Sequence, residues 1–296
     1  MTNLCNLNGV LVPEEKAVVP VLDRGFLFGD SIYEVIETKN GVPFALPEHL
    51  ERLHGSADAL MMRLDLDDQT LSRRIKETLQ AANNPESYVR IIVTRGVGSA
   101  PNIDVAYATG PCTVLIMVRP LPSPGSSVGH LAFVSRLRND RRALDPASKT
   151  GNYLNNVLGL IEAKATGARD AIFLNSAGYV TEATTSNIWI AQDDGVFTPP
   201  LSAGILAGVT RKLIFDCCTK AGLRCEERDI TPQQLLRAPE VFLSSTLRHV
   251  FPITRIDERI VGTGKPGPIT TKLAALFHEF STHQQAELYA PAWSKI

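Results

Sequence analysis

A lysine just ahead of a glycine turn is the first feature of this 296-residue sequence that could do chemistry. Lys149 lies in the run S-K-T-G-N-Y, and Tyr153 follows four residues later. A lysine held out of water has a lowered pKa, and its amine can form a Schiff base with an aldehyde cofactor. Tyr153 could then donate a hydrogen bond to a phenolate-type oxygen. Taken alone, the run is more typical of an exposed loop lysine before an ordinary helix.

A glutamate in a β-rich segment is the second candidate. Glu182 lies in T-E-A-T-T-S-N-I-W-I, among small hydroxylated residues and without a basic neighbour in sequence. A carboxylate there can pair with a protonated pyridine nitrogen and keep a cofactor ring electron-withdrawing. The alternative, which the segment alone favours, is a solvated glutamate at a strand end.

Three further segments could bind an anion. The run G-I-L-A-G-V-T-R directly precedes a predicted helix, so the backbone amides of Val209 and Thr210 could hold a phosphate. The run S-S-T-L-R contains Thr246 and ends a predicted strand with hydroxyls and amides. Arg52 lies on a predicted amphipathic helix, where an arginine is usually only solvated. None of these segments is a Walker A loop or a G-x-G-x-x-G motif.

Composition and spacing disfavour several other classes of protein. The six histidines have no metal-ligand spacing, so no metal site is predicted, and no G-x-S-x-G nucleophile motif occurs. The five cysteines form no C-x-x-C pair, which indicates reduced thiols in a cytoplasmic protein. A formal charge of −1 without a basic block argues against nucleic-acid or membrane-surface binding. No secretory signal is visible, and no apolar run approaches the ~18–20 residues of a membrane span.

Hydrophobic periodicity and turn signals place these residues on a mixture of strands and helices. In the N-terminal part we predict strands at 7–12, 31–38, 42–46, 88–94 and 113–118 and helices at 47–64 and 71–82. In the C-terminal part we predict strands at 131–135, 171–174, 179–190 and 240–244 and helices at 152–165, 209–221 and 268–280. A short helix is expected after the cap at Thr231 and Pro232.

A segment rich in proline, glycine and serine divides the chain. Residues 119–130 read R-P-L-P-S-P-G-S-S-V-G-H, which is typical of an interdomain linker. We therefore predict a small N-terminal α+β domain at 1–118 and a large C-terminal domain at 131–296 that carries Lys149. Strands and helices do not alternate regularly, so an α+β class is favoured over a doubly wound sheet.

The order of the candidate motifs is more specific than any one of them. Arg52 in H-L-E-R-L, Lys149 in K-T-G-N-Y, Glu182 in G-Y-V-T-E-A-T-T-S-N and Thr210 in L-A-G-V-T-R follow one another as in a known family. Over about residues 7–280 the sequence resembles the fold-type IV pyridoxal-phosphate enzymes, the class IV aminotransferases. That family includes branched-chain and D-amino acid aminotransferases, some (R)-amine transaminases and aminodeoxychorismate lyase. The resemblance implies a two-domain α+β fold, a cofactor cleft between the domains and a homodimer.

The resemblance also assigns roles around pyridoxal 5′-phosphate. Lys149 matches the lysine that forms the Schiff base and then moves a proton at the substrate α-carbon. Glu182 matches the carboxylate that pairs with the pyridine nitrogen, and Tyr153 matches the tyrosine near the 3-oxygen. The residues that match the phosphate-binding group are Arg52, Val209, Thr210 and Thr246.

Substrate residues divide between two branches of the family. The run K-T-G-N-Y and the strand with Tyr88 and Arg90 resemble branched-chain aminotransferases, in which those side chains face the substrate. Residues 24–34, which include Tyr33, look more like the D-amino acid enzymes, yet the R-x-H by which those enzymes bind the α-carboxylate is missing. Leu247 and Arg248 stand where branched-chain enzymes usually have small residues. The Leu247 amide can still bind a carboxylate, but Arg248 adds bulk and charge.

These features predict a transaminase with a ping-pong mechanism. The donor is a branched-chain-like amino acid or a broader set, and the acceptor is a 2-oxo acid such as 2-oxoglutarate or pyruvate. The alternatives are a D-amino acid or (R)-amine transaminase, an aminodeoxychorismate lyase and a non-catalytic pyridoxal-phosphate-binding protein. The stereochemical preference is not readable from these residues.

Overall fold

The structure, a computed structural model, describes residues 2–123, 125–192 and 195–296. Its strands are β1 (Leu4–Leu7), β2 (Val10–Pro13), β3 (Ser31–Lys39), β4 (Val42–Pro43), β5 (Ser87–Thr94), β6 (Thr113–Pro120), β7 (Gly129–Leu137), β8 (Asp170–Leu174), β9 (Val180–Ala183), β10 (Asn187–Gln192), β11 (Gly195–Thr198), β12 (Cys225–Glu227), β13 (Glu240–Ser245), β14 (His249–Ile256) and β15 (Arg259–Ile260). Its helices are α1 (Arg24–Phe28), α2 (Leu46–Ala59), α3 (Asp68–Ala82), α4 (Leu154–Ala165), α5 (Val209–Lys220), α6 (Pro232–Arg237), α7 (Pro268–Gln284) and α8 (Ala290–Ser294). The predicted α+β class is confirmed.

The chain divides into two compact units. The first unit is Met1–Ser123, Ser148–Asn152 and His283–Ile296, and the second is Pro124–Ala147 and Tyr153–Thr282. The division after Ser123 falls within the predicted linker, of which Pro124 lies outside the described residues. Lys149 groups with the first unit, whereas the sequence placed it in the C-terminal domain. The domain boundaries stay a prediction.

The first unit is a six-stranded sheet in the order β2-β1-β6-β5-β3-β4, and α2 and α3 contribute to a core on one of its faces. Leu46, Leu50 and Leu53 of α2 recur at helical spacing and are buried in that core. Because side chains alternate along a strand, Ile91 of β5 belongs to the core while Arg90 lies on the opposite face. The sheet therefore presents one face to the helices and another to polar side chains.

The second unit is a nine-stranded mixed sheet in the order β12-β11-β10-β13-β14-β7-β8-β9, with β15 paired to β14. Trp189 of β10 stacks on Phe242 of β13 at a ring distance of 5.5 Å, and Trp189 Nε1 donates to Ser244 Oγ. In the described ranges, no helix is both long enough and apolar enough to cross a membrane.

Several predicted boundaries are wrong for identifiable reasons. The strand predicted at 7–12 is the β1–β2 hairpin, because Asn8 and Gly9 adopt positive φ angles of 53° and 92°. The helix predicted at 47–64 ends at Ala59, and Met61 then has a φ of 49°. The strand predicted at 179–190 is interrupted between β9 and β10. Periodicity locates the elements but does not detect a turn within an apolar run.

Candidate active site

Lys149 lies on a short extended segment that pairs with β3. Thr150 forms a bridge with Ile32, and the Tyr33 amide donates to the Lys149 carbonyl at 3.0 Å. The Lys149 amide donates to Ser56 Oγ on α2, also at 3.0 Å. The backbone of the lysine is thus fixed on two sides, so only its side chain is left to move.

Tyr33 connects Lys149 with Arg90. Lys149 Nζ lies 3.2 Å from Tyr33 Oη and 4.4 Å from the centre of the tyrosine ring. The Arg90 guanidinium lies over the same ring at 4.2 Å. Tyr88 precedes Arg90 by two residues on β5 and therefore lies on the same face of the sheet. Three residues that the sequence singled out are thus in contact in the first unit, and Tyr88 lies on the same sheet face as Arg90.

Arg52 belongs to a buried charged triad. Its Nε and Nη2 donate to the two carboxylate oxygens of Glu34, each at 2.7 Å. His49 Nδ1 lies 2.7 Å from Glu34 Oε2, and because a carboxylate only accepts, the histidine donates this bond. Glu34 is fully buried. The candidate phosphate ligand Arg52 is therefore held in a bidentate pair that fixes its plane.

Burial and neighbouring charges lower the pKa values of both Glu34 and His49. Burial alone would raise the pKa of Glu34, but Arg52 and His49 outweigh it and hold the pKa well below the ordinary range. Burial lowers the pKa of His49, which the nearby carboxylate of Glu34 only partly opposes. Glu34 is thus ionised and His49 neutral at pH 7, so the negative charge of Glu34 balances the positive charge of Arg52 and the triad has no net charge.

Glu182 forms a second buried arginine–glutamate pair, in the second unit. Its Oε1 accepts from Arg138 Nη2 at 2.8 Å and from Nε at 3.0 Å. Its Oε2 accepts from the Leu206 amide at 3.0 Å and from Asn187 Nδ2 at 3.3 Å. Hydrogen-bond donors therefore surround the carboxylate of Glu182 and fix its position.

The start of α5 lies next to Glu182. Asn187 also donates to the Leu206 carbonyl at 3.0 Å, and a Cβ at Gly208 would collide with the Asn187 side chain. In the described part of the chain, no side chain caps α5, and its first turn carries no acidic residue. The amides of Val209 and Thr210 thus offer an anion a positive helix end with no side-chain competitor, which fits a phosphate group.

The remaining predicted residues lie on one helix start and one hairpin loop. Tyr153 is the N-cap residue of α4 and is half-buried. Thr246, Leu247 and Arg248 form the loop between β13 and β14. Arg248 Nη1 donates to Asp170 at 2.6 Å, so the charge of this arginine is neutralised.

Four residues that shape these sites were missed by the sequence analysis. They are Glu34, His49, Arg138 and Asn187. The sequence did contain a signal for Glu34, because this charged residue lies between Ile32 and Ile36 on the core face of β3, where an apolar residue is expected. Arg138 had none, since it lies 44 residues from Glu182 in the chain.

Comparison with known proteins agrees with this geometry. The profile of the family described as amino-transferase class IV matches residues 31–256. A Methanocaldococcus jannaschii protein with the provisional name branched-chain-amino-acid aminotransferase is 34% identical over 96% of this chain and 98% of its own. A D-alanine aminotransferase of Listeria monocytogenes is 36% identical over 95% of this chain and 97% of its own. The crystal structure of a branched-chain aminotransferase from Thermoproteus uzoniensis with norvaline is similar, with a TM-score of 0.87, 30% identity and 97% of both chains covered.

The chain belongs to the class IV aminotransferases. The resemblance inferred from the ordered motifs, the fold-type IV architecture and the assignment as a pyridoxal-phosphate-dependent transaminase are confirmed. Amino acids and oxo acids are therefore its substrates in general terms.

Proposed function

We propose that this enzyme transfers the amino group of an aliphatic amino acid, branched-chain or broader, to a 2-oxo acid. The observation that supports the proposal is the position of Arg90 on the Tyr33 ring, with Lys149 Nζ bound to the hydroxyl of the same tyrosine. Within the described residues, Arg90 has no ion pair or hydrogen bond from its side chain. A substrate carboxylate is the natural partner for such a guanidinium.

The site residues have the roles that the resemblance implies. Pyridoxal phosphate supplies, when bound, a ring that accepts the electrons left after deprotonation of the substrate. Lys149 Nζ holds and moves the proton at the α-carbon, while Tyr33 Oη orients that amine. Glu182 would pair with the pyridine nitrogen, and Arg138 holds this carboxylate in place. Arg52, the amides at the start of α5 and Thr246 bind the phosphate.

Neutralisation of Arg248 supports an aliphatic substrate. An arginine in that loop would oppose an apolar side chain if its charge were free. Because Asp170 is buried and binds the guanidinium at 2.6 Å, the loop presents Leu247 without a competing charge. A homodimer and a cytoplasmic location belong to the same proposal.

A D-amino acid substrate is the second candidate. It is favoured by the relatives named D-alanine aminotransferase, which include proteins 34% and 36% identical to this chain. Both candidates require a carboxylate on the donor, so Arg90 does not separate them.

A donor panel tests both candidates. The holoenzyme is mixed with L-amino acids, D-amino acids and (R)-amines, and the visible absorbance of the cofactor is followed before an acceptor is added. We expect L-leucine and L-valine to change the spectrum faster than D-alanine, and the reverse order would establish the second candidate. A spectrum that no donor changes would contradict transamination, and pyruvate released from aminodeoxychorismate without an acceptor would indicate the lyase.

The role of Arg90 is tested by Arg90→Gln. We expect KM for an amino acid donor to rise at least about tenfold, because a charged hydrogen-bond partner is lost, while the reaction of a simple (R)-amine is unchanged. Arg119→Gln, which removes an exposed arginine paired with Glu14, is the control. Equal effects on the two donor types would show that Arg90 does not bind the carboxylate.

A further inference from the structure

A cavity of about 270 Å³ in the first unit lies apart from the lysine. Its floor is apolar and consists of Leu53, Leu71, Val93 and Val114. Val93 and Val114 belong to the core on the helix-covered face of the sheet, whereas Arg90 lies on the opposite face. The sheet thus separates this cavity from the group formed by Tyr33, Arg90 and Lys149 Nζ.

The rim of the cavity carries charges of both signs. Arg74 of α3 lines the cavity, with its guanidinium carbon 3.3 Å from the position that a Cβ would take at Gly9. The arginine side chain makes no hydrogen bond or ion pair with any described residue. Asp65 and Asp68, both exposed, lie on the same rim.

The carboxylates of Asp65 and Asp68 differ in how close their present partners are. Asp68 Oδ1 lies 2.6 Å from His54 Nε2, so its partner is close. Among the residues that the structure describes, Asp65 has only a long contact of 3.5 Å to the exposed Arg63 and a 3.3 Å hydrogen bond from the Cys112 amide. Asp65 is therefore the better partner for a positive group, and Arg74 for a negative one.

We propose that this cavity binds an aliphatic α-amino acid. Arg74 binds the carboxylate, Asp65 binds the ammonium group, and the aliphatic side chain packs on Leu53 and Leu71. The volume lies just below the ~300–1,000 Å³ of pockets that bury drug-sized ligands, which suits a molecule of amino-acid size. A ligand with a single charge would leave one of the two rim charges without a partner.

The site is tested by binding to the holoenzyme rather than by turnover. The probe is α-methylleucine, which has no α-hydrogen and cannot be transaminated. Hydrogen exchange is measured for the amides of residues 62–72 and 110–115, two segments that contain most of the lining residues. We expect slower exchange in both segments when the probe is added. Exchange that slows only elsewhere, at the substrate site for example, would overturn the proposal.

Two pairs of variants identify the contacts. Arg74→Gln is expected to raise the Kd for this site at least about tenfold, whereas Arg73→Gln, at the exposed neighbour on the same helix, leaves it unchanged. Leu71→Trp fills the cavity and should abolish the protection, while Val18→Trp, at an exposed valine, should not. Unaltered binding to Arg74→Gln would contradict the proposal even if Leu71→Trp failed to fold.

Two further probes test the requirement for both charges. 4-Methylpentanoate has only the carboxylate, and 3-methylbutylamine has only the ammonium group. We expect each to protect residues 62–72 at least about tenfold more weakly than α-methylleucine. Equal protection by either probe would exclude recognition of an amino acid as such.

Discussion

Each unit contains a buried arginine–glutamate pair, but the two pairs serve different partners: one positions its arginine and the other positions its glutamate. In the first unit both oxygens of Glu34 are bound by Arg52 and His49, and the carboxylate is fully buried. In the second unit Arg138 binds only one oxygen of Glu182, and the other oxygen accepts weaker donors. Glu34 is thus a support for an arginine, whereas Arg138 is a support for a glutamate.

This difference explains why the sequence identified only one partner of each pair. Arg52 and Glu182 lie in motifs of the family, and we propose that their charged groups bind the cofactor. Glu34 and Arg138 only hold those charges in place. In each pair two guanidinium nitrogens of the arginine bind the glutamate and fix the supported group, so removing the support should change stability or position before it changes chemistry.

The largest effect is expected from Glu34→Gln. The substitution leaves Arg52 charged without its counterion, so we expect the unfolding free energy to fall by about 3–5 kcal/mol, as measured in urea. Glu77→Gln makes the same change in an exposed pair with Arg73 and should cost only about 0.3–0.5 kcal/mol. Similar losses in the two variants would mean that burial does not distinguish the pairs.

The second largest effect is expected from Glu182→Gln. Loss of the anion that we propose to pair with the pyridine nitrogen should lower kcat about 100-fold, which corresponds to about 2.7 kcal/mol. Glu240→Gln is the matched control, since Glu240 is a buried glutamate of the second unit that accepts hydrogen bonds from the Ile269 and Thr270 amides. Stopped-flow half-reactions measure both variants. An unchanged kcat in Glu182→Gln would remove this carboxylate from the chemistry.

Replacing each arginine by lysine separates the two roles. A lysine keeps the charge but loses the bidentate geometry. We expect Arg52→Lys to raise the Kd for pyridoxal phosphate about tenfold, and Arg138→Lys to lower kcat about tenfold with little change in that Kd. Equilibrium dialysis and steady-state kinetics measure the two quantities. If both variants altered cofactor affinity alone, the proposed division of roles would be wrong.

The smallest effect is a pH dependence. The pKa of Glu34 is lower in the folded protein than in the unfolded chain, so its pairing contributes fully above the ordinary glutamate pKa of ~4.3 and is lost as the pH falls through the folded value. The stability difference between the wild type and Glu34→Gln should therefore be greatest at pH 7 and decrease towards pH 3. Urea unfolding at several pH values measures it, and a difference that grew on acidification would contradict this sign.

Local sequence was a good guide to elements and motifs, and a poor guide to pairings. The capping box at Thr231 and Gln234 and the stop of α5 near Gly222 were predictable because each depends on residues close in sequence. The β1–β2 hairpin was overlooked although Asn8 and Gly9 carry the turn signal. The contact between Tyr33 and Lys149 was not predictable, because 116 residues separate them.

The sequence by itself determined the family and the cofactor, since the order of short motifs is preserved in the chain, and it proposed Lys149 as the amine. Only the tertiary structure decided which charged side chains are paired with a counterion and which are held in place by a buried partner. Asp170 neutralises Arg248, Glu34 fixes Arg52, and the Arg90 guanidinium lies over the Tyr33 ring. The physical reason is that the free energy of a charge depends on its burial and its partners, and folding brings those partners together from distant parts of the chain.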